Sequence, residues 1–191
     1  ALGANALLSV SLAFARAVAA ERGVPLYQHF AEEFLERSAI AALPRPTVNL
    51  FSGGKHAGGQ VSIQDVLIVP TAATTADDAL ATIYAVYQAA AKLCSEKYGM
   101  RALVADEGGL APDFPSVDAM IADAVEAIER AGFAPGGEVA ICLDVAASHF
   151  FDGGRYHLGG DPLEAGGMIE TIAGWLNQFP IVSVEDGLAE D

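Results

Sequence analysis

Apolar residues recur at helical spacing in five segments of this chain. The first segment, residues 2–22, places its leucine and valine side chains on one wide face. A Gly-Val-Pro sequence at residues 23–25 ends it, because proline cannot continue a helix and glycine can supply a C-cap. The same pattern predicts helices over residues 26–36, 76–98, 116–131 and 163–179.

Two short apolar runs in the second half of the chain each end in a carboxylate. Residues 139–144 read VAICLD and end in Asp144, whereas residues 180–185 read PIVSVE and end in Glu185. Runs this short and this continuously apolar are typical of strands buried on both faces of a parallel sheet. With the helix between them they predict a β-α-β unit with a right-handed crossover. Asp144 and Glu185 should therefore leave the sheet at the same edge, where α/β enzymes place their chemistry.

These two carboxylates allow two interpretations. Facing each other at one edge, they repel strongly unless a cation lies between them, which favours a metal site. The alternative is that each acid only caps the turn that follows its strand.

Two more strands are predicted earlier in the chain. Residues 47–51 and 61–70 flank a glycine-rich segment, SGGKHAGG at residues 52–59. Glycine lets a backbone approach a ligand closely, although ordinary hairpin connections have the same composition. The short connection favours antiparallel pairing of the two strands.

The predicted order is a helical region followed by β-β-α-α-β-α-β. Four strands that end in acids at one edge, with helices outside them, predict an α/β fold that is the first half of an eight-stranded TIM barrel. The sequence LPRP at residues 43–46 marks a boundary. Residues 1–43 are therefore assigned to the helical tail of a preceding domain, and residues 44–191 to an incomplete barrel. The outer strands of a half barrel would expose unpaired edges.

Composition narrows the classes of function. The 25 acidic and 10 basic residues give a net charge of −15, which argues against nucleic acid and anionic membranes as partners and suits carboxylates gathered around a divalent metal. No uninterrupted apolar run predicts a membrane span. Ala1 without a basic leader does not look like a signal peptide and suggests a chain that begins earlier. Cys94 and Cys142, which lack Cys-x-x-Cys spacing, predict reduced thiols in a cytoplasmic protein.

Six motifs, taken together, resemble the enolase family over essentially the whole chain. Each motif is weak alone, but all six occur in the family's order and at approximately its spacing. The family's barrel also begins β-β-α-α, the order predicted above. The resemblance implies a magnesium-dependent carbon–oxygen lyase of glycolysis that interconverts 2-phosphoglycerate and phosphoenolpyruvate. The motifs are LGANA at residues 2–6, VPLY at 24–27, GGKHAG at 53–58, DEGG at 106–109, LDVAAS at 143–148 and VSVED at 182–186.

The resemblance assigns roles to the acids. Asp144 and Glu185 match two of the family's three metal carboxylates, which implies Mg²⁺ as the cofactor. Glu107 matches the acid that protonates the departing hydroxide. That role needs a carboxyl that stays protonated near neutral pH, as crowding by other carboxylates and burial beneath a loop would favour. An ordinary acid in a turn is the alternative for Glu107.

The glycine-rich loop and the strand after it supply the remaining implied site residues. His56 matches a catalytic, substrate-side histidine on a mobile loop, and Gln64 matches a substrate-contacting amide. Asp65 stands where the family has a catalytic, substrate-contacting glutamate, so its carboxylate should sit about 1.5 Å further back. The implied substrate is a small phosphorylated carboxylate, and the full-length protein is expected to be a homo-oligomer.

Other positions depart from the family pattern and predict a divergent branch. Ser52 replaces an asparagine, Lys55 a small or acidic residue, His149 a glutamate and Gly187 a proline. The family's base lysine, third metal carboxylate and phosphate-binding residues find no match, because Lys92 and Lys97 fall on a predicted outer helix. The chain is therefore interpreted as an internal piece, inactive alone. The alternatives are another enolase-superfamily enzyme with a different carboxylate substrate, and a non-catalytic scaffold.

Overall fold

A computed structural model describes residues 3–35, 42–99 and 104–190 of the chain. Contacts divide the chain into two compact units, Ala1–Pro44 and Arg45–Asp191. The first unit contains helices α1 (Ala4–Glu21) and α2 (Leu26–Phe34). Gly23 follows α1 with φ 69°, a left-handed conformation that glycine adopts readily, so α1 ends where the sequence predicts. Leu2 and Glu36, at the outer ends of the predicted helices, lie outside the described residues.

Helix α1 is the one helix among the described residues that is long and apolar enough, with a mean hydropathy of 1.2, to pass a length-and-composition test for a membrane span. Arg16 and Glu21 lie within it, so it is not an uninterrupted apolar run. Core helices and leader sequences pass the same test, so the result does not place the helix in a membrane.

The second unit contains the predicted β-β-α-α-β-α-β order, with one additional hairpin, β4–β5, between β3 and α5. The elements are β1 (Val48–Ser52), β2 (Asp65–Pro70), α3 (Ala76–Tyr98), α4 (Val117–Arg130), β3 (Val139–Asp144), β4 (Phe151–Asp152), β5 (Arg155–Tyr156), α5 (Ala165–Gln178) and β6 (Ile181–Glu185).

Four of these strands form one sheet in the order β1-β2-β3-β6. Strand β2 is antiparallel to both β1 and β3, whereas β3 and β6 are parallel, so the predicted hairpin and the predicted β-α-β unit are both confirmed. The prediction that all four strands end in acids at one edge is wrong. β1 ends in Ser52, and β2 begins with Asp65 and ends in Pro70. Because β2 runs in the opposite direction, its first residue lies at the acidic edge.

Two helices that cover the sheet have well-defined ends. Thr75 Oγ1 accepts a hydrogen bond from the Asp78 amide at 3.1 Å and begins α3, and Gly99 with φ 63° ends it. Ser116 Oγ accepts from the Ala119 amide at 3.1 Å and begins α4, as its sequence predicts. The buried faces of these helices join the sheet in one core, which includes Leu50, Phe51, Ile68, Val86, Leu93, Met120, Ile121, Ile128 and Ile141.

A polar network joins α3 to α4. Asp123 is 4% exposed, and its carboxylate accepts hydrogen bonds from Lys97 Nζ at 2.7 Å and from the Tyr98 hydroxyl at 2.6 Å. Lys97 is therefore engaged between the outer helices, as predicted. The two cysteines are both free thiols, Cys94 buried and Cys142 half-buried.

Candidate active site

Asp144 and Glu185 stand on neighbouring strands at one edge of the sheet. They are register partners in the parallel pair β3–β6, one residue beyond the pair Leu143 and Val184. Adjacent strands lie about 4.8 Å apart, so the two carboxylates leave the sheet side by side, as the sequence predicts. Burial, followed by the charge of Glu185, raises the pKa of Asp144 to about 6. A nearby cation would stabilise the charged form of such a carboxyl and lower its pKa.

The backbone beyond these acids is held in place by further hydrogen bonds. The Val145 amide donates to the Glu185 carbonyl and the Ala147 amide to the Asp186 carbonyl, each at 3.0 Å. Ala146 and Asp186 both have φ 47°, a left-handed conformation that costs about 1–2 kcal/mol for a residue other than glycine. The backbone amide of Ala146 opposes the rise in the pKa of Asp144, after the larger effects of burial and of the neighbouring acids.

Strand β2 brings Gln64 and Asp65 to the same edge. Asp65 pairs with Asp144 in the antiparallel register, and Gln64 Nε2 donates to Asp144 Oδ2 at 2.9 Å. Asp65 is only 2% exposed and accepts a hydrogen bond from the Ser52 hydroxyl at 2.5 Å. Burial raises the pKa of Asp65, and the hydrogen bond from Ser52 is the largest effect that opposes the rise.

Glu107 approaches this cluster from the turn between α3 and α4. Its carboxylate accepts a hydrogen bond from Asn49 Nδ2 on β1 at 2.8 Å. Its charge contributes to the raised pKa of Asp65, after the larger effect of burial. Glu107 is exposed in the described part of the chain.

Several residues that position the site were missed by sequence reasoning. The Tyr87 hydroxyl donates to the Gly108 carbonyl at 2.8 Å and so anchors the Glu107 turn to α3. Asn49 was also missed, although a polar residue inside the apolar run TVNLF was a usable signal. A helical tyrosine gave no comparable signal, since half-buried tyrosines are common in packed helices.

The donor set fits a hard divalent cation, but only in part. Asp144 and Glu185 offer carboxylate oxygens, the ligands that Mg²⁺ prefers in proteins. Within residues 3–35, 42–99 and 104–190, no group of three or more His, Cys, Asp or Glu side chains is arranged to hold a metal ion. Asp144 and Glu185 alone are fewer carboxylates than such a group requires.

Comparison with known proteins identifies the family. The family model for the enolase C-terminal TIM barrel domain matches residues 40–191. The chain belongs to the enolase family. An enolase from Rubrobacter xylanophilus is 42% identical to it over 192 aligned residues, which cover all of this chain and 43% of that protein. The chain thus spans less than half the length of this curated enolase.

Membership in the enolase family identifies the four-stranded sheet as part of a barrel. The strands β1, β2, β3 and β6, with their helices, form part of an enolase-type barrel. All six predicted site residues fall inside the matched region: His56, Gln64, Asp65, Glu107, Asp144 and Glu185. Gln64, Asp65, Asp144 and Glu185 lie together at one edge of the sheet. Glu107 accepts a hydrogen bond from Asn49 of β1, and His56 lies in the glycine-rich loop that joins β1 to β2.

Proposed function

We propose that this chain supplies the acidic half of an enolase active site to a cytoplasmic protein that interconverts 2-phosphoglycerate and phosphoenolpyruvate. The observation that carries the proposal is the meeting of Asp65, Glu107, Asp144 and Glu185 at one edge of the sheet. They come from four separate segments of the chain. A non-catalytic scaffold gains nothing from such a cluster, because like charges in one place destabilise the fold.

Asp144 and Glu185 would hold Mg²⁺ in the complete protein. The bound cation stabilises the negative charge that develops on the substrate carboxylate when the neighbouring carbon loses its proton. Gln64 fixes the orientation of Asp144 through its amide hydrogen bond. Fixed orientation matters because a small misplacement of a reacting group lowers the rate considerably.

Glu107 would donate a proton to the departing hydroxide. Its carboxylate is exposed, and Asn49 restrains one of its oxygens while leaving the other available. We propose that the base that removes the substrate proton comes from outside this chain, and that Lys92 and Lys97, both engaged on the outer helices, do not serve as that base. Proton donation and proton removal are thus assigned to different parts of the protein.

A chimera tests this proposal. The matching segment of the Rubrobacter xylanophilus enolase is replaced by this chain, and phosphoenolpyruvate formation is followed by its absorbance with Mg²⁺ present. The chimera should be active. Glu107→Gln should suppress dehydration but spare exchange of the substrate proton with solvent. Glu170→Gln, at an exposed position on α5, is the matched control and should change neither.

Two results would count against the assignment. Equal loss of exchange and dehydration in Glu107→Gln would show that Glu107 does not act on the leaving group. A folded chimera that binds Mg²⁺ but ignores 2-phosphoglycerate would favour the second candidate, an enolase-superfamily enzyme with another carboxylate substrate. The burial of Asp65 against Ser52 is the observation that favours this second candidate, because a withdrawn carboxylate leaves room for a different substrate.

The complete protein is also proposed to form a homo-oligomer. Sedimentation velocity of the complete gene product would test this, and a monomer at micromolar concentration would contradict it.

A further inference from the structure

A cavity of about 400 Å³ opens between the glycine-rich loop and the turn that follows β3. Lys55 and His149 both line this cavity, and they come from two loops that are far apart along the chain. We call it the Lys55–His149 cavity. Its lining also includes Gly54, Gly58, Ser62 and Phe150.

Lys55 is unusual among the basic residues of the barrel unit. It is exposed and forms no ion pair with any residue in the described part of the chain, although acids greatly outnumber bases in the protein. Four other basic residues of this unit do form ion pairs: Lys92, Lys97, Arg130 and Arg155. A lysine ammonium offers three hydrogen-bond donors, so Lys55 is available to an anionic ligand.

His149 adds a second polar group to the cavity. Its backbone amide donates to the Ala146 carbonyl at 2.9 Å, which fixes the turn, while its ring makes no hydrogen bond to a described residue. The glycine-rich loop is closed by a bond from the Gly59 amide to the Gly54 carbonyl at 2.7 Å. Ser62 Oγ donates to the His157 carbonyl at 3.2 Å and links the loop to the segment after the turn.

The two loops that line the cavity are connected in sequence to strands of the candidate active site. The glycine-rich loop starts at the end of β1 and returns to β2 at Gln64 and Asp65, and the His149 turn begins shortly after Asp144. Both walls are therefore extensions of the acidic edge.

We propose that the Lys55–His149 cavity binds an oxyanion, a phosphate or carboxylate group, through the Lys55 ammonium and the His149 ring. The claim that this anion is part of the substrate rests on the proposed function. The claim that the cavity binds an oxyanion is independent of it.

Residue-resolved acetylation of the complete gene product tests the proposal. Inorganic phosphate is titrated at constant ionic strength against a limiting acetylating ester, and modification of each lysine is read by mass spectrometry. Phosphate should protect Lys55 from acetylation. It should leave Lys92 unprotected, because Lys92 is exposed on α3 and does not line the cavity. His149→Ala should weaken phosphate protection by about tenfold, the loss typical of one charge-assisted hydrogen bond. His157→Ala is the control, because only its backbone carbonyl is used.

The ligand class follows from two further titrations. Protection by phosphate but not by acetate or malonate would assign a phosphate group, whereas protection by malonate would assign a carboxylate. Equal modification of Lys55 with and without all three anions would overturn the proposal, as would protection that His149→Ala leaves unchanged. An active chimera in which phosphate does not protect Lys55 would refute only the proposal that the cavity binds an anion. Protection without turnover of 2-phosphoglycerate would uphold the cavity and refute the reaction.

Discussion

The contact between Gly109 and Ser52 gives the sharpest prediction. Gly109 belongs to the turn that carries Glu107, and a Cβ at this position would lie 2.2 Å from Ser52 Oγ and 3.1 Å from the Ser52 Cβ and amide nitrogen. Ser52 is fully buried, and its hydroxyl is bound to Asp65. Gly109→Ala should therefore act as an overpacking substitution and cost about 1–3 kcal/mol.

This cost should appear in local hydrogen exchange. The Ser52 amide donates to the Leu110 carbonyl, and the Leu110 amide to the Leu50 carbonyl, each at 2.9 Å. Exchange of these two amides in the complete gene product, followed by mass spectrometry, reports how readily this contact opens. Gly109→Ala should accelerate it by roughly 5- to 150-fold, the rate change that corresponds to the overpacking cost.

A double-mutant cycle separates overpacking from other causes. Ser52→Ala removes the atom at 2.2 Å but leaves the buried Asp65 without its donor, so alone it should also destabilise, by about 1.5–3 kcal/mol. The double variant should lose at least about 1 kcal/mol less than the sum of the single variants. Gly174→Ala on α5, with nothing within 4 Å, is the control and should stabilise its helix by up to about 1 kcal/mol. Unchanged exchange in Gly109→Ala, or strict additivity, would refute the reasoning.

Three further predictions concern charge and burial. Lys97→Ala should destabilise the protein by about 3 kcal/mol in urea unfolding, because it leaves the buried Asp123 carboxylate without its cation; no change would contradict this. Burial raises the pKa of Cys94 to about 12, so iodoacetamide at about pH 8 should label it only after unfolding. The pKa of Asp144 is raised by burial and by Glu185, so the folded state binds more protons than the unfolded state. Without metal, stability should fall as the pH rises from about 4 through about 6, and Asp144→Asn or added Mg²⁺ should abolish the fall.

The acidic edge could be predicted from the sequence where strand direction follows from local pattern. The runs that end in Asp144 and Glu185 have the length and apolarity of buried parallel strands, and their register agrees with that prediction. The direction of β2 also followed from its short connection. Its consequence, that Asp65 reaches the edge from the start of a strand, was missed because a carboxyl-end rule considers only where strands finish.

Other features depend on geometry that periodicity does not encode. β1 has a register irregularity between Asn49 and Phe51, and such a bulge changes the face that later residues occupy. The alternation of apolar and polar residues along β1 therefore could not predict the hydrogen bond from Ser52 to Asp65. The β4–β5 hairpin, by contrast, had a usable sequence signal. Gly153 and Gly154, both with positive φ, form the Gly-Gly pair typical of a two-residue hairpin turn.

The open sheet has a practical consequence for protein engineering. Among the described strands, β1 and β6 each have a neighbour on one side only, whereas a closed barrel gives every strand two. Each outer strand thus presents a row of backbone donors and acceptors to a strand supplied by another polypeptide. The chain has the form of one component of a split-protein pair, in which strand addition at both edges would couple assembly to completion of the acidic site. A reporter built this way would produce signal only when its two parts meet.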